Sequence, residues 1–142
     1  MLVQDDYGAS SRHDRRELRA FDVMSHPPET IETDASVYDA ASQMAISGIG
    51  FLPVCEAGGA VGVLTDRDVT VRVVAVGRDP RTTRVRDVMT RPVYRCFADT
   101  LLSEARQMLR ANCVRRLVVT DPAYRVVGVL SIDDLKALAS RA

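Results

Sequence analysis

The sequence predicts an α/β (α+β) fold in which one strand–helix–strand–strand–helix unit occurs twice. Three observations point there: the chain repeats itself in order, each copy carries a helix with an apolar face, and each copy then carries two short apolar strands. The repetition is the most telling. Asp22-Val23-Met24 recurs as Asp87-Val88-Met89, an offset of 65 residues. At that offset Pro27, Asp34, Ala40, Leu52 and Val54 meet Pro92, Asp99, Ala105, Leu117 and Val119. One inserted residue raises the offset to 66, and Val61-Gly62-Val63-Leu64 then meets Val127-Gly128-Val129-Leu130, with Asp68 meeting Asp134.

In the first copy Val37, Ala40, Ala41, Met44 and Ala45 share one helical face. Asp34 or Ser36 can cap the helix start, and Gly48 can end it in a left-handed conformation. In the second copy Leu101, Leu102, Ala105, Met108 and Leu109 repeat the face; Asp99 is the expected cap and Asn112 the expected left-handed terminator. The strands are expected at Phe51–Cys55 and Ala60–Leu64, then at Leu117–Thr120 and Val126–Leu130. Glu56-Ala57-Gly58-Gly59 and Asp121-Pro122-Ala123-Tyr124-Arg125 supply the turns between them. Both strands of each pair are almost uninterrupted apolar runs, so the sheets are expected to be covered on both faces. A last helix closes each copy, at about 66–76 and at 132–140.

These features divide the chain into an arm over residues 1–20, a first repeat over 21–77, a short polar linker over 78–84 and a second repeat over 85–140. Within the arm, residues 1–12 are expected to be disordered and 14–21 to form a short helix. A repeat of this size has a small core, so the two are expected to pack directly on each other.

Composition narrows the function. With 46% hydrophobic residues the chain can bury a core, but aromatics are only 5% and Trp is absent, so small aliphatics must fill it. Formal net charge is zero, which gives no global attraction to nucleic acid or anionic membrane. Arg81, Arg84, Arg86, Arg91 and Arg95 form a basic stretch, but Asp87 and apolar residues interrupt it and stacking aromatics are scarce, so nucleic-acid binding is not expected. No apolar run is long enough to cross a bilayer, and the polar start of the chain does not read as a secretory signal, so a cytoplasmic protein without membrane contact is expected. Cys55, Cys96 and Cys113, with His13 and His26, show no metal-ligand spacing, and no metal site is expected. No nucleophile has an adjacent base and no phosphate-loop signature is present, so no catalytic residues are assigned and the chain is not expected to be an enzyme.

The candidate site lies where a strand gives way to a helix in each copy, at Thr65-x-x-Asp68 and Ser131-x-x-Asp134. A helix start offers unpaired amides to an anion, and a hydroxyl there can donate to a phosphate or ribose oxygen. The same spacing is also a capping box, which serves only the helix. Arg67 stands between Thr65 and Asp68 where the second copy has Asp133, so the first set joins hydroxyl, guanidinium and carboxylate. Arg115 and Arg116 precede the strand at Leu117, where the first copy has Gly50 and Phe51.

The duplicated order of Asp-Val-Met with Pro shortly after, an apolar helix, an apolar strand (Leu52-Pro53-Val54 in the first copy) and Gly-Val-Leu-Thr/Ser-x-x-Asp resembles the CBS (cystathionine-beta-synthase-type) repeat family. The resemblance covers about residues 20–140 and is similar to small bacterial proteins built of one CBS pair, a Bateman module. It implies two β-α-β-β-α repeats packed about a pseudo-two-fold axis with two clefts between them. It further implies that the Asp of each Thr/Ser-x-x-Asp accepts from ribose hydroxyls, and that a basic residue near Arg115 and Arg116 meets phosphate. The adenine wall is expected after each Asp-Val-Met, at Thr30 and Ile31 or at Arg95 and Cys96. The expected ligand is an adenine nucleotide (AMP, ADP or ATP) or S-adenosylmethionine, with no cofactor required. The implied role is a regulatory module that senses this adenosyl small molecule and modulates a protein effector. The alternative is a structural or interaction dimer whose clefts bind nothing. A homodimer is expected in either case, because Ala40, Ala41, Ala45, Val69, Val73 and Val76 exceed what one thin domain can bury. Judged by neighbours along the chain, Asp68 is the favoured carboxylate, unless each cleft draws its Arg from one repeat and its Asp from the other.

Overall fold

A computed structural model describes residues 18–140, and the expectations for residues 1–12 and for the first half of 14–21 lie outside it. The chain enters through a single helical turn, α1 (Ala20–Val23). The first copy then runs β1 (Ile31–Glu32), α2 (Val37–Ser47), β2 (Phe51–Glu56), β3 (Gly59–Thr65) and α3 (Asp66–Val69), which widens into a π-helical turn over Thr70–Val74. A second short turn, α4 (Val85–Val88), leads to β4 (Arg95–Phe97), α5 (Leu102–Ala111), β5 (Arg116–Thr120), β6 (Val126–Ser131) and α6 (Ile132–Ser140). Each copy therefore contains the expected strand–helix–strand–strand–helix order.

The sheets are equivalent. In the first, β1 is parallel to β2 and β2 antiparallel to β3; in the second, β4, β5 and β6 repeat that order. Leu52 opposes Leu64 as Leu117 opposes Leu130, and both ladders slip at the same place, after Val54 and after Val119. The first hairpin closes through Ala57 and Gly58 at φ of 52° and 85°, the positive values that fit the twist of a tight hairpin. The full coverage expected of both strands applies to β2 and β5. Strand β3 alternates buried and half-buried residues, and so does most of β6.

Helix α2 starts on Ser36, whose Oγ accepts from the Asp39 amide at 3.0 Å, and ends on Gly48 at φ 67°. Helix α5 departs from expectation at both ends. Asp99 does not cap it: the cap position is Leu101, without a side-chain bond, and the Asp99 carbonyl instead accepts from Arg19 Nη1 at 2.6 Å. At the other end Asn112 stays right-handed at φ −98° and Cys113 takes the positive φ, 53°.

The amides at the helix starts reveal how the copies interlock. Leu102 N donates to Leu18 O at 2.8 Å, and Val37 N donates to Thr83 O at 2.9 Å. A segment that precedes one repeat thus closes the helix start of the other. The cores follow the same exchange. Val85, Val88 and Met89 pack with Val37, Leu52 and Leu64, whereas Ala20, Val23 and Met24 pack with Leu109, Leu117 and Leu130. Gly62 and Gly128 permit the crossing: a Cβ on Gly62 would press on Met89, and one on Gly128 on Met24 and the Ser25 carbonyl. The Asp-Val-Met segments are therefore core elements, each belonging to the opposite repeat.

Candidate functional site

The exchange sets one loop of the first repeat against the strand–helix junction of the second. Ser25 N donates to Val129 O at 2.9 Å and Val129 N to Ser25 O at 3.2 Å, which pins the loop beside β6. Between them opens a cleft of about 300 Å³. One wall is Ser25, Pro27, Pro28 and Glu29; a second is Gly48–Phe51, where α2 turns into β2; the third is Arg116, Val129, Ser131 and Asp134.

Asp134 sits in the first turn of α6. Its Oδ2 accepts from the Ser131 amide at 3.0 Å, and Ser131 Oγ accepts from the amides of Asp133 and Asp134 at 3.0 and 3.4 Å. This is a capping box, so both readings of Ser-x-x-Asp coexist: Oδ2 serves the helix, while among the described residues no hydrogen bond reaches Oδ1. The Arg116 guanidinium lies 5.5 Å from the Phe51 ring centre, held at the cleft by a cation–π contact. Glu29 is fixed by the Ser47 hydroxyl, which donates to its Oε1 at 2.6 Å. The lining is thus apolar at Pro28, Ile49 and Val129 and charged at Glu29, Arg116 and Asp134.

The pseudo-equivalent junction is built differently. Thr65 N donates to Asp68 Oδ2 at 3.0 Å, the same capping box. Here the other oxygen is occupied: Thr90 Oγ1 donates to Asp68 Oδ1 at 2.9 Å, and Arg72 Nε lies 3.9 Å from it. Arg72 is itself fixed by bonds to the carbonyls of Val88 and Met89 at 3.0 and 2.9 Å. Asp68 is only 8% exposed.

Of the residues expected from the sequence, Arg116, Ser131 and Asp134 meet in the open cleft, and Thr65 and Asp68 meet at the closed junction. Arg67 is exposed on α3, its amide bonded to Asp66. Arg115 is exposed in a 3.3 Å pair with Asp133, so it already offsets that charge. Of the residues expected at the adenine wall, Ile31 packs against the first core and Cys96 is part of the second. Burial raises the Cys96 thiol to about 11, which leaves it protonated and unreactive at neutral pH. Thr30 bonds Gln43 through its carbonyl, and Arg95 reaches the Ala60 carbonyl and the Tyr124 ring. Sequence reasoning missed Ser25–Glu29, only a few residues before Thr30, and Gly48–Phe51. The available signal was Ser-His-Pro-Pro, a rigid extended loop after Asp-Val-Met.

A strand–helix–strand–strand–helix pair with exchanged entry segments and a cleft between the repeats defines a class of small tandem-repeat α/β modules. The CBS domain family profile matches residues 20–75 and 85–141, and the chain belongs to that family. It is 33% identical over 114 residues to the CBS domain-containing protein YhcV of Bacillus subtilis, covering 80% of each chain. It is 28% identical over 117 residues to hypoxic response protein 1 of Mycobacterium tuberculosis, covering 82% of this chain and 81% of that one. The crystal structure of Hypoxic Response Protein I with two coordinated zinc ions superposes with a TM-score of 0.76 at 27% identity, over 84% of this chain and 98% of that one. The CBS domain pair of protein MJ0100, in complex with 5'-methylthioadenosine and S-adenosyl-L-methionine, gives 0.78 at 23% identity over 88% and 98%, a likeness of fold. Among the described residues no three His, Cys, Asp or Glu side chains are grouped to hold a metal ion, and no helix is long and apolar enough to cross a membrane.

Proposed function

We propose that this chain is a regulatory module that binds an adenosyl ligand in the Asp134 cleft, transmits occupancy to a protein effector and catalyses nothing itself. The observation that carries this is the Asp134 carboxylate, with Oδ2 fixed by the helix and Oδ1 left for a ligand donor. A ribose offers two hydroxyl donors side by side, which suits a charged acceptor held in place. Pro28, Ile49 and Val129 offer apolar contact for a purine, and Arg116 offers one cation for an anionic tail. A cleft of about 300 Å³ stands at the small end of ligand pockets, which suits a nucleoside with a short tail.

The lining charges refine the ligand. Glu29 and Asp134 oppose the single Arg116, so a long polyphosphate meets more repulsion than attraction. AMP, S-adenosylmethionine and 5'-methylthioadenosine are therefore favoured over ATP. The complex of the MJ0100 pair supports the same ligand class. Because the walls come from both repeats, a bound ligand ties the repeats together, and that shift is what an effector would read.

The test is isothermal titration of the chain with AMP, ADP, ATP, S-adenosylmethionine and 5'-methylthioadenosine, repeated on Asp134→Asn. Saturable binding is expected, weakened at least about tenfold by the substitution, because a hydrogen bond to a charged group contributes about 1.5–3 kcal/mol. No heat with any of the five, or equal affinity in the variant, would overturn the reading and leave an interaction module.

A further inference from the structure

Two junctions with the same capping box differ at one atom. In both, the Oδ2 of the helix-start Asp accepts the Thr65 or Ser131 amide at 3.0 Å. Helix capping is therefore constant and cannot account for the difference at Oδ1. That atom accepts from Thr90 at 2.9 Å and faces Arg72 at 3.9 Å in one junction, and no bond from a described residue reaches it in the other.

The substitutions responsible are legible by register. Thr90 corresponds to Ser25, and the backbone around them is the same: Thr90 and Val63 exchange bonds of 2.8 and 3.0 Å, as Ser25 and Val129 do. The extra methyl of Thr restricts its χ1, which holds the hydroxyl on Asp68; Ser25 rotates more freely and lines the open cleft. Arg72 corresponds to Leu138. Arg72 crosses to the carbonyls of Val88 and Met89 and lies over Asp68. Leu138 has no polar reach, and beside it a hollow of about 230 Å³ remains, lined also by Asp22, Val23, Asp134 and Ala137.

We infer that Thr90 and Arg72 form an internal lock that occupies Asp68 in place of a ligand, so that each chain takes one adenosyl ligand, at Asp134, and these two positions decide the number. The inference rests on the adenosyl reading for its ligand and on the Asp68 contacts for its lock. The lock makes the Asp68 junction a fixed support, while the Asp134 junction is free to respond to ligand.

The experiment titrates AMP and, separately, S-adenosylmethionine into the full chain, into Thr90→Ser, and into the Arg72→Leu/Thr90→Ser double variant. The parent should bind one equivalent per chain and the double variant two, the second abolished by a further Asp68→Ala. Two equivalents in the parent, or one in a double variant that melts cooperatively, would overturn the inference. If the double variant does not fold, Thr90→Ser stands in, and a second, weaker equivalent there is expected; its absence overturns. If the parent binds neither ligand, the adenosyl reading fails on its own. The lock is then decided by ligand-free melting: Asp68→Asn must lower the transition temperature more than Asp134→Asn, and equal shifts would sink it.

Discussion

Gly128→Ala is the smallest perturbation that tests the exchange of entry segments. Gly128 lies in β6 opposite Val119, and its missing side chain is where the incoming segment crosses. A Cβ there would overlap Met24 Sδ and stand 2.9 Å from both Met24 Cγ and the Ser25 carbonyl oxygen. Ordinary carbon contacts begin near 3.5 Å, so something must move. The Met24 side chain can rotate away, but the Ser25 carbonyl is main chain, tied to Val129 by the paired bonds at 2.9 and 3.2 Å. Forcing a methyl into a packed site costs about 1–3 kcal/mol, and the stiffer unfolded chain returns about 0.4–1. Because a main-chain atom stands in the way, the cost falls in the upper part of that range, and the net is a loss of about 1–2 kcal/mol. For a domain of this size about 1 kcal/mol shifts the transition by about 4 °C, so a fall of about 4–8 °C is expected by calorimetry. Gly62→Ala is the control. Its nearest main-chain atom, the Thr90 carbonyl oxygen, is farther at 3.2 Å, so its loss should be smaller. Displacing Ser25 also moves a cleft wall, so Gly128→Ala should weaken adenosyl binding more than Gly62→Ala does. An unchanged transition temperature in Gly128→Ala would refute the close crossing on which the exchange depends.

Glu29→Gln removes one of the two lining carboxylates and should raise the affinity for ATP more than that for S-adenosylmethionine in parallel titrations; an equal change for both would show that lining charge does not select the tail. Cys96 couples stability to pH through its thiol, raised from 9.0 to about 11 by burial. The unfolded chain ionises first, so this contribution is complete below pH 9.0, is lost as pH rises towards 11, and should vanish from the melting profile of Cys96→Val. Ala40 and Val73 are wholly buried within the chain, so the surface that a homodimer would cover is carried by Ile46, Val74 and Val76, which are 87%, 69% and 64% exposed. Sedimentation velocity is expected to show a dimer that Ile46→Glu weakens, and a strict monomer at micromolar concentration would count against self-association.

Periodicity and repetition located the elements because they report on burial. The two central strands are continuous apolar runs, and both are covered on two faces. Helix ends were harder to read. Ser36 and Gly48 act locally, and their residue types suffice. Both helices have their first amide closed by a distant carbonyl, Thr83 at α2 and Leu18 at α5, but at α5 the cap position falls on Leu101, which has no side-chain acceptor, and Asp99 stands two residues before it. Ser131, Asp134 and Arg116 were legible as chemistry, but their company was not. The walls at Ser25–Glu29 and Gly48–Phe51 consist largely of loop and main chain, which carry no periodic signal.

The exchange of entry segments explains why a duplicated sequence yields clefts that are not duplicates. Each core repeats with its partner because Leu52, Val54 and Leu64 face the same demands as Leu117, Val119 and Leu130, and packing tolerates only apolar residues of similar volume. The Asp134 cleft, in contrast, is assembled from loops of one repeat and the helix start of the other, and the Asp68 junction likewise brings Thr90 to the helix start of the first repeat. Their chemistry is set by pairs that never adjoin in sequence: Ser25 with Asp134 here, Thr90 with Asp68 there. Arg67 beside Asp68 therefore says little about Asp68, whereas Thr90, 22 residues away, occupies its free oxygen. Leu138 packs against the second core, whereas at the equivalent position Arg72 turns to the Val88 and Met89 carbonyls and to Asp68, whose Oδ1 Thr90 occupies. Binding at one cleft and support at the other can thus diverge while the fold stays symmetric.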